Sequence, residues 1–299
     1  MSAIPIIYTE SPDEGAGKQR ARIILVAADG LSIRTDDSSR IENEQKIFRL
    51  PEVGPGVGYG VAGSVRITSD TTGEMQFNLA VEVPRAAQEL SAAEPKAAYL
   101  QEYAETLGQR LFAVLKERVQ TYGADMKLPL TAGKKAPDGN PDIIAVVLLF
   151  GYVYGDVPEY GAIILRHQSG KLMAPVTDFR SVCPGEIWGY LSDDIAGGLF
   201  SPQHRLYGQA AFGLYRKFRK APPGARSLDD AIKMAAAYFL ACKDPEIMKF
   251  DVGHCNTVGG LYHAAKVTPT GFEWVLSDAL QTALDSFKRG SGGQSTPKQ

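Results

Sequence analysis

The fold is decided by a stretch that reads RIILVAADGLSIRTDDSSR from Arg22 to Arg40, KIFRL from Lys46 to Leu50 and GYGVAGS from Gly58 to Ser64. Its apolar run Ile23–Ala28 predicts a strand that is buried on both faces. Asp29-Gly30 predicts a two-residue hairpin turn after this strand, because both residue types tolerate the backbone conformations that such turns need. We therefore expect antiparallel strands here, with the two later segments as the third and fourth.

Outside this stretch, two helical segments separate further strands. Apolar residues recur at helical spacing over residues 96–121, and Ser227 is a good N-cap for a second helix over Ser227–Cys242. The other predicted strands are Ile143–Tyr154, Tyr160–Arg166, Leu172–Phe179, Leu261–Val267 and Gly271–Val275. Helices that are segregated from mostly antiparallel strands indicate the α+β class.

Four regions are less regular. Ile4–Tyr8 is predicted to dock as an edge strand, and Gln76–Val83 is a strand or a helix that Pro84 should end. Residues 192–224 are predicted to be irregular; they are aromatic and basic, which makes them the candidate surface for a partner. We expect an extension over residues 1–19, one domain over 20–288 and a disordered tail over 289–299.

Composition excludes several classes of protein. The 299 residues are 44% hydrophobic and 22% charged with a net charge of −2, which is typical of a globular protein and favours neither nucleic acid nor an anionic membrane. No apolar run is long enough to span a bilayer, and the first residues lack the features of a secretory signal. The three cysteines are odd in number and widely spaced, so we expect reduced thiols and a cytoplasmic protein.

The ordered set of motifs resembles the proteasome-type Ntn-hydrolase family. The motifs are Asp29-Gly30, Asp36-Asp37-Ser38, Lys46-Ile47-Phe48, Val61-Ala62-Gly63-Ser64, Leu148–Tyr152 followed by Pro158-Glu159-Tyr160, and Val258-Gly259-Gly260 followed by Gly271-Phe272. The resemblance implies a four-layer αββα sandwich. It also implies side-by-side packing in a homo- or hetero-oligomer, and a peptide or protein as ligand.

In active members of that family the residue that opens the first strand is a Thr, whose hydroxyl attacks a peptide carbonyl. An acid after strand two and a lysine of strand three support it, and the resemblance assigns these roles to Asp36 and Lys46. Counting back from Gly30 along the first strand, Ile23–Ala28, puts the nucleophile near Gln19–Ala21, and no Thr, Ser or Cys lies between Gly15 and Ala28. Lys46 is then either a residual catalytic lysine or a structural lysine that pairs with Asp36 or Asp37.

Three functions remain open on these residues. The first is a structural or binding subunit of an oligomeric assembly without N-terminal threonine catalysis, and it is the one that the missing nucleophile favours. The second is an active amide hydrolase whose nucleophile is Ser2, exposed when Met1 is removed. The third is a separate binding module that uses the cleft of the same scaffold.

No cofactor is expected, and no metal site is predicted. His254, Cys255 and His263 are candidate ligands, but they lack a fourth ligand at a recognisable spacing.

Overall fold

A computed structural model describes residues 4–11, 21–33, 40–63, 65–92, 99–123, 125–126, 142–153, 157–168, 171–181, 187–190, 208–222, 224–243, 258–275 and 277–291. The strands in these ranges are β1 Ile4–Ser11, β2 Ala21–Asp29, β3 Ser32–Ile33, β4 Arg40–Ile41, β5 Ile47–Arg49, β6 Val57–Gly63, β7 Arg66–Thr68, β8 Met75–Asn78, β9 Asp142–Gly151, β10 Glu159–Gln168, β11 Lys171–Ser181, β12 Ile187–Tyr190, β13 Tyr262–Thr268 and β14 Gly271–Val275. The helices are α1 Leu79–Ser91, α2 Leu100–Tyr122, α3 Gly208–Lys220, α4 Leu228–Ala241 and α5 Ser277–Ser291. The α+β class is confirmed.

The chain forms two compact units. The first contains residues 1–47, 183–268 and 273–299, and the second contains residues 48–182 and 269–272.

The first unit is built on a five-stranded sheet in the order β12-β1-β2-β13-β14, on which α4 and α5 pack. Its core joins Leu25 and Ala27 of β2 to Tyr238 and Phe239 of α4. Helix α4 begins as predicted at Ser227, whose side chain accepts the Asp230 N–H while the Asp230 carboxylate accepts the Ser227 N–H.

The second unit is built on a five-stranded sheet in the order β11-β10-β9-β6-β5, on which α2 packs with α1 beside it. Strand β9 is buried from Ile144 to Gly151 and pairs with both β6 and β10 in antiparallel fashion. The apolar stripe of α2 covers this sheet through Leu107, Leu111 and Leu115. Both elements follow the sequence prediction closely.

Two predictions about the first strands of the chain were wrong. Asp29-Gly30 is not a hairpin turn, because β2 pairs with β1 and β13 whereas β3 pairs with β4. The φ angle of Gly30 is also not positive, whereas a type I′ turn requires a positive φ at both central residues. Strand β1, predicted at the edge of a sheet, lies inside it between β12 and β2.

Pro84 does not end a helix but lies within α1. Because proline has no N–H, the carbonyl of Ala80, four residues earlier, has no helical donor. The hydroxyl of Tyr59 donates to that carbonyl at 3.3 Å, so a neighbouring strand supplies the missing hydrogen bond.

Helices were also missed in two other places. Residues 208–220, predicted to be irregular, form α3, and Ser277–Ser291 forms α5, which enters three residues of the predicted tail.

Candidate functional site

Of the three predicted site residues, the structure describes one. Lys46 directly precedes β5 and is buried, whereas Ser2 and Asp36 lie outside the described residues. Among the described residues, the partner of Lys46 is Asp29, at the end of β2. Its carboxylate Oδ1 lies 3.2 Å from the Lys46 Nζ.

The Asp29–Lys46 pair is almost completely shielded from solvent. The side chain of Lys46 is 4% exposed and that of Asp29 is fully buried. Lys46 also donates a hydrogen bond to the backbone carbonyl of Leu31, and the other carboxylate oxygen of Asp29 accepts the Gly259 N–H at 3.2 Å. Each charged group therefore has a second partner, which is what a buried ion pair needs to offset its desolvation.

Three backbone segments cross at this pair and are joined by hydrogen bonds. The Leu31 N–H donates to the Gly259 carbonyl at 2.9 Å, and the Leu261 N–H donates to the Glu42 carbonyl at 2.7 Å. Gly30 lies between them, and a Cβ on it would stand 2.4 Å from the Leu261 carbonyl oxygen. Glycine is therefore required at this position by the close approach of the segments and not by a turn.

Burial dominates the electrostatics of the site. It lowers the pKa of Lys46 from 10.5, although Asp29 opposes the shift. Burial also raises the pKa of Tyr262, with smaller contributions from Asp29 and Cys242. Tyr262 lies directly opposite Asp29 on the neighbouring strand β13.

His263 is a further ionisable residue beside the pair. It lies on β13 opposite Ala28, the residue before Asp29. Its pKa is lowered from 6.5 by burial and by the positive charge of Lys46, while Asp29 acts in the other direction. The Nε2 atom of His263 is buried and has no hydrogen-bond partner in the described part of the chain.

The start of β1 is at the same end of the sheet as the pair. Strand β1 runs antiparallel to β2 with Ile6 opposite Val26 and Ser11 opposite Ala21. Ile4, the first described residue, therefore lies toward the end of β2 that carries Asp29.

The described residues of this arrangement can supply charge. A buried lysine held by a carboxylate can lower the pKa of a nearby amine and can stabilise negative charge that develops on an oxygen. The cysteine described here, Cys242, is buried in the core of the first unit, and Cys183 and Cys255 lie outside the described residues.

Three further findings concern the described residues. Within the described ranges, no group of three His, Cys, Asp or Glu residues could hold a metal ion. None of the helices described is both long and apolar enough to cross a membrane. Of the predicted partner surface, α3 is described, and its cations Arg216, Lys217, Arg219 and Lys220 are all exposed.

Sequence reasoning missed Asp29 and His263 as residues of the site. It interpreted Asp29 as part of a turn because glycine follows it. A signal was present, since the acid directly ends a fully apolar strand and a lysine opens the next apolar segment. His263 carried no comparable signal, because its place depends on strand pairing between residues more than 230 positions apart.

Comparison with known proteins adds no relative: no protein-family model and no curated protein matches this sequence.

Proposed function

We propose that this protein is an amide hydrolase of the proteasome-type Ntn class, with the hydroxyl of Ser2 as nucleophile and Asp29 and Lys46 as its supporting pair. One observation carries the proposal. The buried Asp29–Lys46 pair lies at the end of the second strand, and the strand before it, β1, begins at that same end. This is the order of strands, acid and lysine that the resemblance leads us to expect, with β1 and not β2 as the first strand.

With this assignment, the missing nucleophile is no longer an objection. The residues that precede β1 in the sequence are Met1, Ser2 and Ala3, so the sequence offers a hydroxyl group two residues before the first residue of that strand. Asp29 takes the role of the acid after strand two in place of Asp36, and Lys46 keeps its role. The proposal requires that Met1 be removed.

The chemistry follows from these groups. The Ser2 hydroxyl attacks the peptide carbonyl carbon and its proton passes to the Ser2 α-amino group, whose ordinary pKa is about 7.7–8.0. The positive charge of Lys46 favours the neutral form of that amine, which can then accept the proton. The C–N bond breaks, the leaving amine takes the proton, and water hydrolyses the remaining ester.

We also propose the four-layer αββα sandwich that the resemblance implies. Two observations support it: α4 and α5 pack on the five-stranded sheet of the first unit, and α2 packs on the five-stranded sheet of the second with α1 beside it. A solved structure without two such helix-covered sheets would contradict it.

A second candidate function is a structural subunit of an oligomer without catalysis. The exposed cations of α3 favour it, because a cluster of like charges on one helix can contact an acidic surface of a neighbouring subunit.

One experiment separates the two functions. The purified protein is incubated with epoxyketones of three tripeptides that end in Leu, Arg or Glu, and its intact mass is measured. The hydrolase predicts a chain that begins at Ser2 and gains the mass of one inhibitor. Lys46→Met should prevent labelling and the control Lys266→Met should not. An unlabelled chain that forms a ring by light scattering would support the structural subunit instead.

A further inference from the structure

We infer that Lys243 is a specificity-determining residue beside the Asp29–Lys46 pair, and that its ammonium group binds a carboxylate of the ligand. The inference rests on the proposed function for the identity of that ligand as a peptide. The role of Lys243 is separate from it, because none of the steps proposed above uses this lysine.

Gly259 links Lys243 to the pair. The N–H of Lys243 donates to the Leu240 carbonyl at 3.1 Å, which ties its backbone to the last turn of α4. A Cβ built on Gly259 would lie 4.0 Å from the Lys243 Nζ. The Gly259 N–H in turn donates to the Asp29 carboxylate at 3.2 Å. A single residue without a side chain therefore lies between the ammonium and the pair.

The ring of Tyr262 positions the ammonium. The Lys243 Nζ lies 5.2 Å from the centroid of this ring, a distance at which a cation and an aromatic face attract each other. Tyr262 lies directly opposite Asp29 on the neighbouring strand, so the two side chains share one face of the sheet. Phe239 of α4 packs against the same ring, with the two centroids 4.6 Å apart. The ring thus holds the ammonium on the face that carries Asp29.

The ammonium is available to a ligand. Lys243 is exposed, and no carboxylate of the described residues forms an ion pair with it. The nearby Asp29 is already bonded to Lys46 and to the Gly259 N–H. A lysine ammonium has three donors and forms charge-assisted hydrogen bonds with carboxylates. Because the negative charge of Asp29 is close, a singly charged carboxylate suits this position better than a doubly charged phosphate.

A second explanation of Lys243 has to be separated from this one. A cation that follows a helix also interacts favourably with the carbonyls at the helix C-terminus. That interaction would affect the stability of the protein and not the choice of ligand. The test therefore measures charge selectivity, which a purely structural lysine would not change.

The test uses four acetylated tripeptides in two matched pairs. The first pair is acetyl-Ala-Ala-Glu amide and its uncharged match, acetyl-Ala-Ala-Gln amide. The second pair is acetyl-Ala-Ala-Ala with a free C-terminal carboxylate and the same peptide as its amide. Isothermal titration calorimetry gives the dissociation constants for the full chain with Ser2→Ala, which cannot attack the peptides. The same chain is measured with Lys243→Met, Lys243→Gln, Lys243→Arg or the control Lys266→Met, whose lysine pairs with Glu273. Urea unfolding checks that each variant is folded.

We expect the charged member of one pair to bind about twofold to fivefold more tightly than its uncharged match, as an ion pair in contact with solvent provides. The pair that shows this preference identifies the source of the carboxylate, a side chain or a C-terminus. Lys243→Met and Lys243→Gln should abolish the preference and leave the uncharged peptide unaffected. Lys243→Arg and Lys266→Met should retain it, and added salt should weaken it.

The outcomes separate this inference from the proposed function. Charge selectivity that depends on Lys243, in a protein that no epoxyketone labels, would remove the hydrolase and leave the inference standing. Labelling without selectivity in either pair, or selectivity that survives in both uncharged variants, would overturn the inference alone. The same holds for a Lys243→Met variant that is less stable but equally selective. If none of the four peptides binds, the inference falls, and the labelling experiment still decides the function.

Discussion

The substitution Lys46→Met is predicted to destabilise the protein strongly, because it removes the cation of the buried Asp29–Lys46 pair. Methionine has a similar length to lysine but no charge, so the change leaves the Asp29 carboxylate buried without its cation. The side chains are 4% and 0% exposed and their charged atoms are 3.2 Å apart. Breaking a buried pair of this kind costs about 3–5 kcal/mol of the free energy of unfolding.

An exposed ion pair between β13 and β14 provides a matched control. Lys266 and Glu273 are separated by 3.3 Å, almost the same distance, but their side chains are 30% and 70% exposed. Solvent screens such a pair, so Lys266→Met should cost less than about 1 kcal/mol.

A double substitution isolates the cost of the uncompensated charge. Asp29→Asn keeps an oxygen that can accept the Gly259 N–H but removes the negative charge. Added to Lys46→Met, it should recover about 1–3 kcal/mol, so that the double variant is more stable than Lys46→Met alone.

The assay is urea unfolding followed by tryptophan fluorescence. Both tryptophans of the chain, Trp188 and Trp274, belong to the first unit, so the signal reports the unit that contains the pair. If Lys46→Met costs no more than Lys266→Met, or if Asp29→Asn adds its own cost to that of Lys46→Met, the reasoning about a buried, mutually dependent pair is refuted.

Three further substitutions test other parts of the structure. Tyr59→Phe should cost about 0.5–1.5 kcal/mol of the free energy of unfolding in urea, because it leaves a partly buried helix carbonyl without a donor. The cost should shrink in a Pro84→Ala background, where the alanine N–H can donate to that carbonyl, and an equal cost in both backgrounds would contradict this. Gly30→Ala should lower the free energy of unfolding by at least about 1–3 kcal/mol, because the added Cβ would overlap backbone atoms. Gly271→Ala should not lower it, because there is open space around the position of that Cβ. Equal midpoints of urea unfolding for the two variants would contradict this. Because the pKa of His263 is lowered in the folded protein, the unfolded chain takes up a proton first as the pH falls below 6.5. The free energy of unfolding of the wild type should therefore fall more steeply than that of His263→Gln, until the pH is below the folded pKa. Parallel pH profiles of the two proteins would contradict the lowered pKa.

Patterns within single elements predicted the structure well, and contacts between distant elements were not predicted. The apolar runs of β2 and β9 and the apolar stripe of α2 were sufficient to identify those elements. A buried strand or helix can be recognised from the spacing of its own apolar residues. The pairing of β2 with β1 and β13 depends on residues far apart in the chain, so the local turn signal at Asp29-Gly30 was misleading. Tertiary contacts also override local rules at Pro84, where Tyr59 supplies the hydrogen bond that proline removes.

In the candidate site, too, the local sequence pattern was predicted and the contacts between distant residues were not. Lys46 was identified from the sequence because the resemblance rests there on a short local motif, Lys46-Ile47-Phe48. Its partner Asp29 and its neighbour His263 were not, because both depend on which strands lie side by side. The assignment of the first strand changed for this reason, and with it the position at which a nucleophile is expected.

The central claim is that a free Ser2 acts beside the Asp29–Lys46 pair, and intact-mass measurement of the protein after treatment with the peptide epoxyketones tests it most directly. The claim predicts a chain that begins at Ser2, carries one inhibitor at its first residue after digestion, and loses this label in both Ser2→Ala and Lys46→Met while Lys266→Met keeps it. A chain that retains Met1, or a free Ser2 that stays unlabelled by all three compounds, would contradict it.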